Sequence, residues 1–214
     1  MRRRDFILQW AATAALGSAL SARAAPSPAK ILIVGDSLSA EYGLKRGSGW
    51  VALLEQRLKR EGLTAQVVNA SISGDTTSGG RSRLPALLRQ HHPTHVVIEL
   101  GGNDALRGLP LDMTRANLDA MTRAAQDAGA KVLLLGMQMP PNYGRKYGEE
   151  FAQLYRDVAR ERKAELVPFL LKGLADVPDA LRWFQPDRIH PNELAQERML
   201  DNVWPALERL LRQH

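Results

Sequence analysis

The sequence predicts an α/β fold, a doubly wound parallel sheet of five strands covered by helices on both faces. Two observations lead there. Short unbroken apolar runs, beginning with Ile31-Leu32-Ile33-Val34, recur along the chain, and such runs suit strands buried on both faces. Between them lie longer stretches whose apolar residues fall three or four apart, the spacing of an amphipathic helix. Alternation of the two patterns implies right-handed crossovers that lay helices on either side of one sheet.

The elements follow in order. Pro26-Ser27-Pro28 reads as a short tether, and Ile31–Val34 is the first strand. Trp50, Leu54 and Leu58 then mark a helix, Val67-Val68 a strand, and the stretch around Leu84, Leu87 and Leu88 a second helix. Val96-Val97-Ile98 is the third strand, followed by a helix carrying Leu118, Met121, Ala125 and Ala128 and by the strand Val132–Leu135. Phe151, Leu154 and Val158 lie on a fourth helix, Leu166-Val167 is a short last strand, and Leu200, Val203, Leu207 and Leu210 define a terminal helix. Five strands thus alternate with five helices. Gly62 and Gly129 stand where helices stop, Pro191 where the last begins, and Pro205 predicts a kink inside it. The one long irregular stretch is expected at Met137–Gly148, MQMPPNYGRKYG, and loops of that length in a compact domain commonly serve a site.

At 214 residues the chain has room for one sizeable domain, and 44% hydrophobic with 24% charged residues is an ordinary globular composition. Residues 1–24 stand apart. A basic head, Arg2-Arg3-Arg4, precedes a mostly apolar stretch from Phe6 to Leu20, and Ala22-Arg23-Ala24 offers the small residues a signal peptidase accepts. The apolar stretch is shorter than the ~20 residues a membrane span requires. Residues 1–24 are therefore expected to be a cleaved export signal and residues 25–214 the mature domain, periplasmic or secreted. Arg3-Arg4-Asp5-Phe6-Ile7 also resembles a twin-arginine signal, with the general route left open.

Four arginines and Asp5 lie in that segment, which removes half of the formal charge of +6. The mild remainder shows no basic cluster with interleaved aromatics, so no nucleic-acid partner is expected. Cysteine is absent, which excludes thiol catalysis and cysteine-ligated metal.

Ligands of open parallel sheets bind beyond the carboxyl ends of the strands, so the residues after each strand matter most. These are Gly35-Asp36-Ser37, then Asn69-Ala70-Ser71-Ile72-Ser73-Gly74-Asp75, then Gly101-Gly102-Asn103-Asp104, and after the last strand Asp187-Arg188-Ile189-His190. Taken alone, Ser37 is either a turn residue or a nucleophile, because Gly-Asp-Ser is common turn chemistry. Together the four segments supply what acyl transfer needs. A serine hydroxyl becomes nucleophilic when a base takes its proton, and an imidazole such as that of His190 is suited to take and return one. Asp187 can fix the imidazole tautomer. The Ser37 and Gly74 backbone N–H groups and the Asn103 side-chain amide can hold an oxyanion. Asp36 is expected to hold its turn through backbone hydrogen bonds.

In GDSLS at 35–39, SISGDT at 71–76, GGND at 101–104 and DRIHPN at 187–192, the chain resembles the SGNH (GDSL) hydrolase family over essentially the whole mature length. Within that family GDSLSAEYG, SGDTTSGG, ELGGND and QMPPNYG are similar to the periplasmic multifunctional thioesterase I/protease I/lysophospholipase L1 group, also called arylesterases. The resemblance implies a flavodoxin-like three-layer α/β/α sandwich, no metal or other cofactor, and hydrolysis of small-molecule acyl esters and thioesters. It places the family's serine, glycine, asparagine, histidine and aspartate on Ser37, Gly74, Asn103, His190 and Asp187. Arg188 departs from the pattern, since glycine is usual there, and an effect on rim shape or charge is expected.

Other readings are weaker. His91, His92 and His95 form a histidine cluster, but it falls at the amino end of the sheet, where a solvated turn is expected. Gly79-Gly80 and Gly101-Gly102 lack the spacing of a phosphate loop. Met137, Met139 and Tyr143 are the expected acyl-chain wall. The expected function is an exported serine esterase or thioesterase, acting as a monomer with no stable membrane span in the mature chain. The alternatives are a carbohydrate O-deacetylase with the same site and a silent binding module on this fold.

Overall fold

A computed structural model describes residues 28–213, so the expected signal at 1–24 lies outside the described residues. Strands β1 (Ala29–Gly35), β2 (Ala65–Asn69), β3 (His95–Glu99), β4 (Lys131–Leu135) and β5 (Glu165–Val167) form one sheet. Its order is β2-β1-β3-β4-β5, and all four pairings are parallel. Every apolar run named above lies inside one of these strands. The winding reverses between β1 and β3, which opens a crevice at their carboxyl ends.

Residue parity explains the two helical layers. Ile31, Ile33, Val97, Leu133 and Leu135 point to one face, against Trp50, Leu54 and Leu58 of α1 (Trp50–Arg60) and Met199, Val203 and Leu207 of α6 (Gln196–Arg212). Leu32, Val34, Val96, Ile98 and Leu134 point to the other, against α2 (Thr77–His91), α4 (Leu111–Asp127) and α5 (Arg145–Arg162). Alternate side chains of one strand leave on opposite faces, so an apolar run without a polar break feeds both cores. Truncating a wholly buried anchor such as Trp50 is expected to destabilise by about 3–5 kcal/mol. Among the described residues no helix is long and apolar enough to cross a membrane.

Three expectations need correction. Among the described residues there are six helices and not five: α3 (Gly102–Leu106) is one short turn-and-a-half directly after β3, too brief to show a period. The last helix starts at Gln196, because Pro191 pairs in an isolated bridge with Phe184 and Asn192 caps a 3-10 turn at Glu193–Ala195. Pro205 does lie inside α6, which continues past it to Arg212. Finally, the Met137–Gly148 stretch is largely ordered, with a 3-10 turn at Pro141–Tyr143 and α5 beginning at Arg145, where Tyr147 already packs on the core that Phe151 and Leu154 join. The long irregular segment is instead 168–192, broken only by a 3-10 turn at Ala180–Trp183.

Candidate active site

The Ser37 side of the site grows out of β1. Gly35 ends the strand because a Cβ there would stand 2.8 Å from both Glu99 Oε2 and Ser39 Oγ. Asp36 then turns the chain: its carbonyl accepts from Ser39 and Ala40 N–H at 3.2 and 3.0 Å, and its Oδ1 from Leu38 N–H at 3.0 Å. This is the backbone role expected of Asp36, achieved with a buried carboxyl. Ser37 stands at the head of the turn, half-buried, at the switch point of the sheet.

From the segment at 168–192, His190 reaches across. Its Nε2 is 3.0 Å from Ser37 Oγ, and its Nδ1 is 2.7 Å from Asp187 Oδ2. Asp187 Oδ1 accepts from the Ile189 and His190 N–H groups at 2.9 and 3.0 Å. Burial alone would raise the Asp187 pKa, but those two N–H bonds and the imidazole outweigh it and hold the carboxyl down at about 2. The Tyr42 ring lies over the imidazole, with centroids 4.4 Å apart. Gln185 joins the two sides, its Nε2 donating to the Tyr42 and Pro191 carbonyls and its N–H to the His190 carbonyl at 2.8 Å.

Three candidate donors stand on three different segments. Among the described residues, neither the Ser37 N–H nor the Gly74 N–H donates to a protein acceptor. Gly74 has φ +78°, a left-handed conformation that favours glycine. Arg83 of α2 fixes its loop, with Nε on Asp75 Oδ2 at 2.8 Å, Nη2 on the Gly35 carbonyl at 3.3 Å and Nη1 on the Ala70 carbonyl. Asn103, the second residue of α3, gives one Nδ2 proton to Asp36 Oδ2 at 2.9 Å and retains a second. Asp104 beside it is structural: its carboxylate takes the Thr77 N–H at 2.8 Å, bonds the Thr77 hydroxyl, and so joins α3 to α2. Spacing gave no hint of Arg83; only the folded loop identifies it.

Beside these groups opens a cavity of about 380 Å³ lined by Leu106, Met137, Met139, Phe169, Phe184 and Ile189. Gly102 and Arg188 also line it, so it abuts the chain neighbours of Asn103 and His190. Met137 and Met139 lie where the sequence placed an acyl wall; Tyr143 does not line it, because the 3-10 turn carries that residue outward, 39% exposed. Phe169 and Phe184, from the irregular segment, complete the wall and carried no periodic signal. Arg188 has φ +60°, which explains why glycine suits this position and leaves an arginine there in a strained conformation. A wider depression of about 610 Å³, bordered by Gln138, Arg145, Glu149 and Arg156, meets none of the converging polar groups.

The histidine cluster is resolved differently from expectation. His95 is no solvated turn residue: it opens β3, is buried, and places Nδ1 2.8 Å from Thr94 Oγ1 and Nε2 3.2 Å from the Leu210 carbonyl. Burial pulls its pKa down. Among the described residues no group of three or more His, Asp or Glu is placed to hold a metal.

Residues 33–198 match the GDSL-like Lipase/Acylhydrolase family. The chain is 54% identical over 181 residues to esterase TesA of Pseudomonas aeruginosa, covering 85% of this chain and 89% of that protein. It is 42% identical over 181 residues to thioesterase 1/protease 1/lysophospholipase L1 of Escherichia coli K12, covering 85% and 84%. A crystal structure of TesA superposes with a TM-score of 0.81 at 54% identity, covering 85% of this chain and 99% of that one.

Proposed function

The chain belongs to the GDSL-like lipase/acylhydrolase family and is an ester hydrolase, and from that premise we propose a serine mechanism running through an acyl-enzyme on Ser37. One observation carries the reading: Ser37 Oγ, His190 and Asp187 form an unbroken hydrogen-bonded chain between segments 153 residues apart. His190 Nε2 takes the hydroxyl proton as Ser37 Oγ bonds to the acyl carbon, while Asp187 holds the ring by Nδ1 and stabilises the imidazolium. Negative charge moves onto the former carbonyl oxygen, toward the Ser37 N–H, the Gly74 N–H and the free Nδ2 proton of Asn103. His190 then gives its proton to the departing alkoxide or thiolate. Water repeats the sequence on the acyl-serine and releases the acid.

The substrates proposed are aryl esters, acyl-CoA-type thioesters and lysophospholipids. The names of the similar proteins, esterase and thioesterase/lysophospholipase, support this range, as does an apolar cavity beside the donors. Apolar walls separate neighbouring chain lengths by only ~1–3 kcal/mol, so a broad acyl range is expected. Hydrolysis of p-nitrophenyl esters from acetate to palmitate, with an acyl-CoA series and Ser37→Ala as control, tests the reading. Activity reaching medium or long chains and lost in the variant supports it; activity confined to acetate points to the O-deacetylase. We further propose that residues 1–24 direct export of a monomeric mature domain. Fractionation of expressing cells, with the amino-terminal residue of the product determined, tests export; a protein retained in the cytoplasm with its head intact contradicts it. Sedimentation of the purified product tests the monomer.

A further inference from the structure

Beneath the nucleophile two acidic side chains share one dry site. Asp36 and Glu99 are 3% and 1% exposed, and Glu99 Oε2 accepts the Asp36 backbone N–H at 3.2 Å, so the two buried acids are in contact. Two carboxylates in such contact cannot both stay ionised, so the pair retains a proton. The surrounding donors indicate which partner carries it. Both oxygens of Asp36 already accept, Oδ1 from Leu38 N–H at 3.0 Å and Oδ2 from Asn103 Nδ2 at 2.9 Å. On Glu99 only Oε2 does so, from Ser39 Oγ at 2.8 Å and Asp36 N–H at 3.2 Å, which leaves the other oxygen to bear the proton. The Trp50 indole closes the site by donating to Ser39 Oγ at 3.2 Å.

This arrangement matters for Asn103 because a side-chain amide has one end that stabilises an oxyanion and one that repels it. An ionised carboxylate only accepts, so it binds the NH2 end and refuses the carbonyl. We propose that Asp36, kept ionised by a neutral Glu99, is the positioning residue of the oxyanion hole, turning the Asn103 amide so that its second N–H faces the reacting oxygen. The inference rests on Asn103 being an oxyanion donor. Burial pushes the Asp36 pKa up to about 6 and Glu99 well above its ordinary value, in agreement with Glu99 as the neutral partner at pH 8.

The two isosteric amides separate this role from simple packing. Glu99→Gln copies a protonated Glu99: its carbonyl accepts from Ser39 and the Asp36 N–H, and its NH2 donates to Asp36. Asp36→Asn retains the Leu38 bond but sets an NH2 against that of Asn103, which must turn. Steady-state kinetics on a p-nitrophenyl ester at pH 8 are measured for both variants, Asn103→Ala and the Asp36→Asn/Asn103→Ala double variant, with folding followed by circular dichroism. Asn103→Ala is expected to lose ~10²–10³-fold in kcat. Asp36→Asn is expected to lose ~10–100-fold in kcat with KM little moved, to lose ~10-fold more than Glu99→Gln, and to add almost nothing once Asn103 is alanine.

Equal losses in the two amide variants, or losses that multiply in the double variant, overturn the proposal while leaving the oxyanion reading intact. A folded Asn103→Ala variant with normal kcat overturns the oxyanion reading itself, and the positioning role with it. Should Asp36→Asn not fold, Glu99→Gln decides: a loss there as deep as that of Asn103→Ala contradicts a neutral Glu99, and a loss at least ~10-fold shallower supports it.

Discussion

The two halves of the site are built in opposite ways. The half that carries Ser37 and Asn103 stands on β1, β3 and α3, with Asp36, Ser39, Glu99 and Asp104 all buried and each held by two or more hydrogen bonds. The other half, Asp187 and His190, rides on a long irregular segment held by an aspartate turn, Gln185, one bridge to Pro191 and the Tyr42 ring. Developing charge needs fixed donors, and the sheet core supplies them. A segment pinned by a few local bonds opens more easily than a core strand. On the proposed mechanism, the difference teaches that a rigid charge-holder is joined to a locally built proton carrier.

Breaking either half should abolish turnover without unfolding the protein. Ser37→Ala or His190→Ala is expected to lower kcat by ~10⁴-fold or more, with Asp187→Asn close behind. Ester assays on variants with unchanged circular dichroism check this; a His190→Ala variant within tenfold of normal would break the account.

The halves should also respond to pH with opposite signs. Asp36 has its folded pKa raised from 3.8 to about 6, chiefly by burial, so its contribution to stability is full below pH ~4 and is lost as pH rises through 6. Asp187 is lowered from 3.8 to about 2, so its contribution is present above pH ~4 and is lost as pH falls toward 2. More than a third of the Asp187 side chain is exposed, and solvent screens that second effect to a smaller size. Urea unfolding from pH 3 to 8, comparing the wild type with Asp36→Asn and Asp187→Asn, reads the two windows. A stability difference for Asp36→Asn that does not vary between pH 4 and 7 would contradict the buried half.

Smaller effects sharpen the contrast. Removing the ring over His190 with Tyr42→Ala is expected to lower kcat/KM by ~2–10-fold, the scale of an aromatic contact worth about 0.5–1.5 kcal/mol. Smallest of all, Arg188→Gly relieves a left-handed strain of about 1–2 kcal/mol and costs about 0.5–1 kcal/mol in chain entropy, so a net gain of up to ~1.5 kcal/mol should appear in unfolding experiments.

The same contrast governs what the sequence made legible. All five strands were readable, because parallel strands buried on both faces must be apolar throughout. The polar groups at their ends were readable as well, since Ser37 and Asn103 follow β1 and β3 within a few residues. Less was visible on the other side. Asp187 and His190 could be identified by type and spacing, but the segment that presents them has neither helical nor strand period, so its length and its Phe169 and Phe184 wall went unseen. Tyr42, Gln185 and Arg83 act through contacts across the fold, and local patterning does not encode such contacts. His95 misled because burial at a strand start depends on α6, over a hundred residues later in the chain.

The central claim is that Ser37 carries the acyl group, and covalent labelling tests it most directly. The protein is treated with an organophosphonate, the intact mass is measured, and the modified peptide is sequenced beside the Ser37→Ala variant. The account predicts one adduct per chain, on Ser37, with activity lost in proportion and no adduct in the variant. An adduct on another residue, or full ester hydrolysis by the folded Ser37→Ala protein, would contradict it.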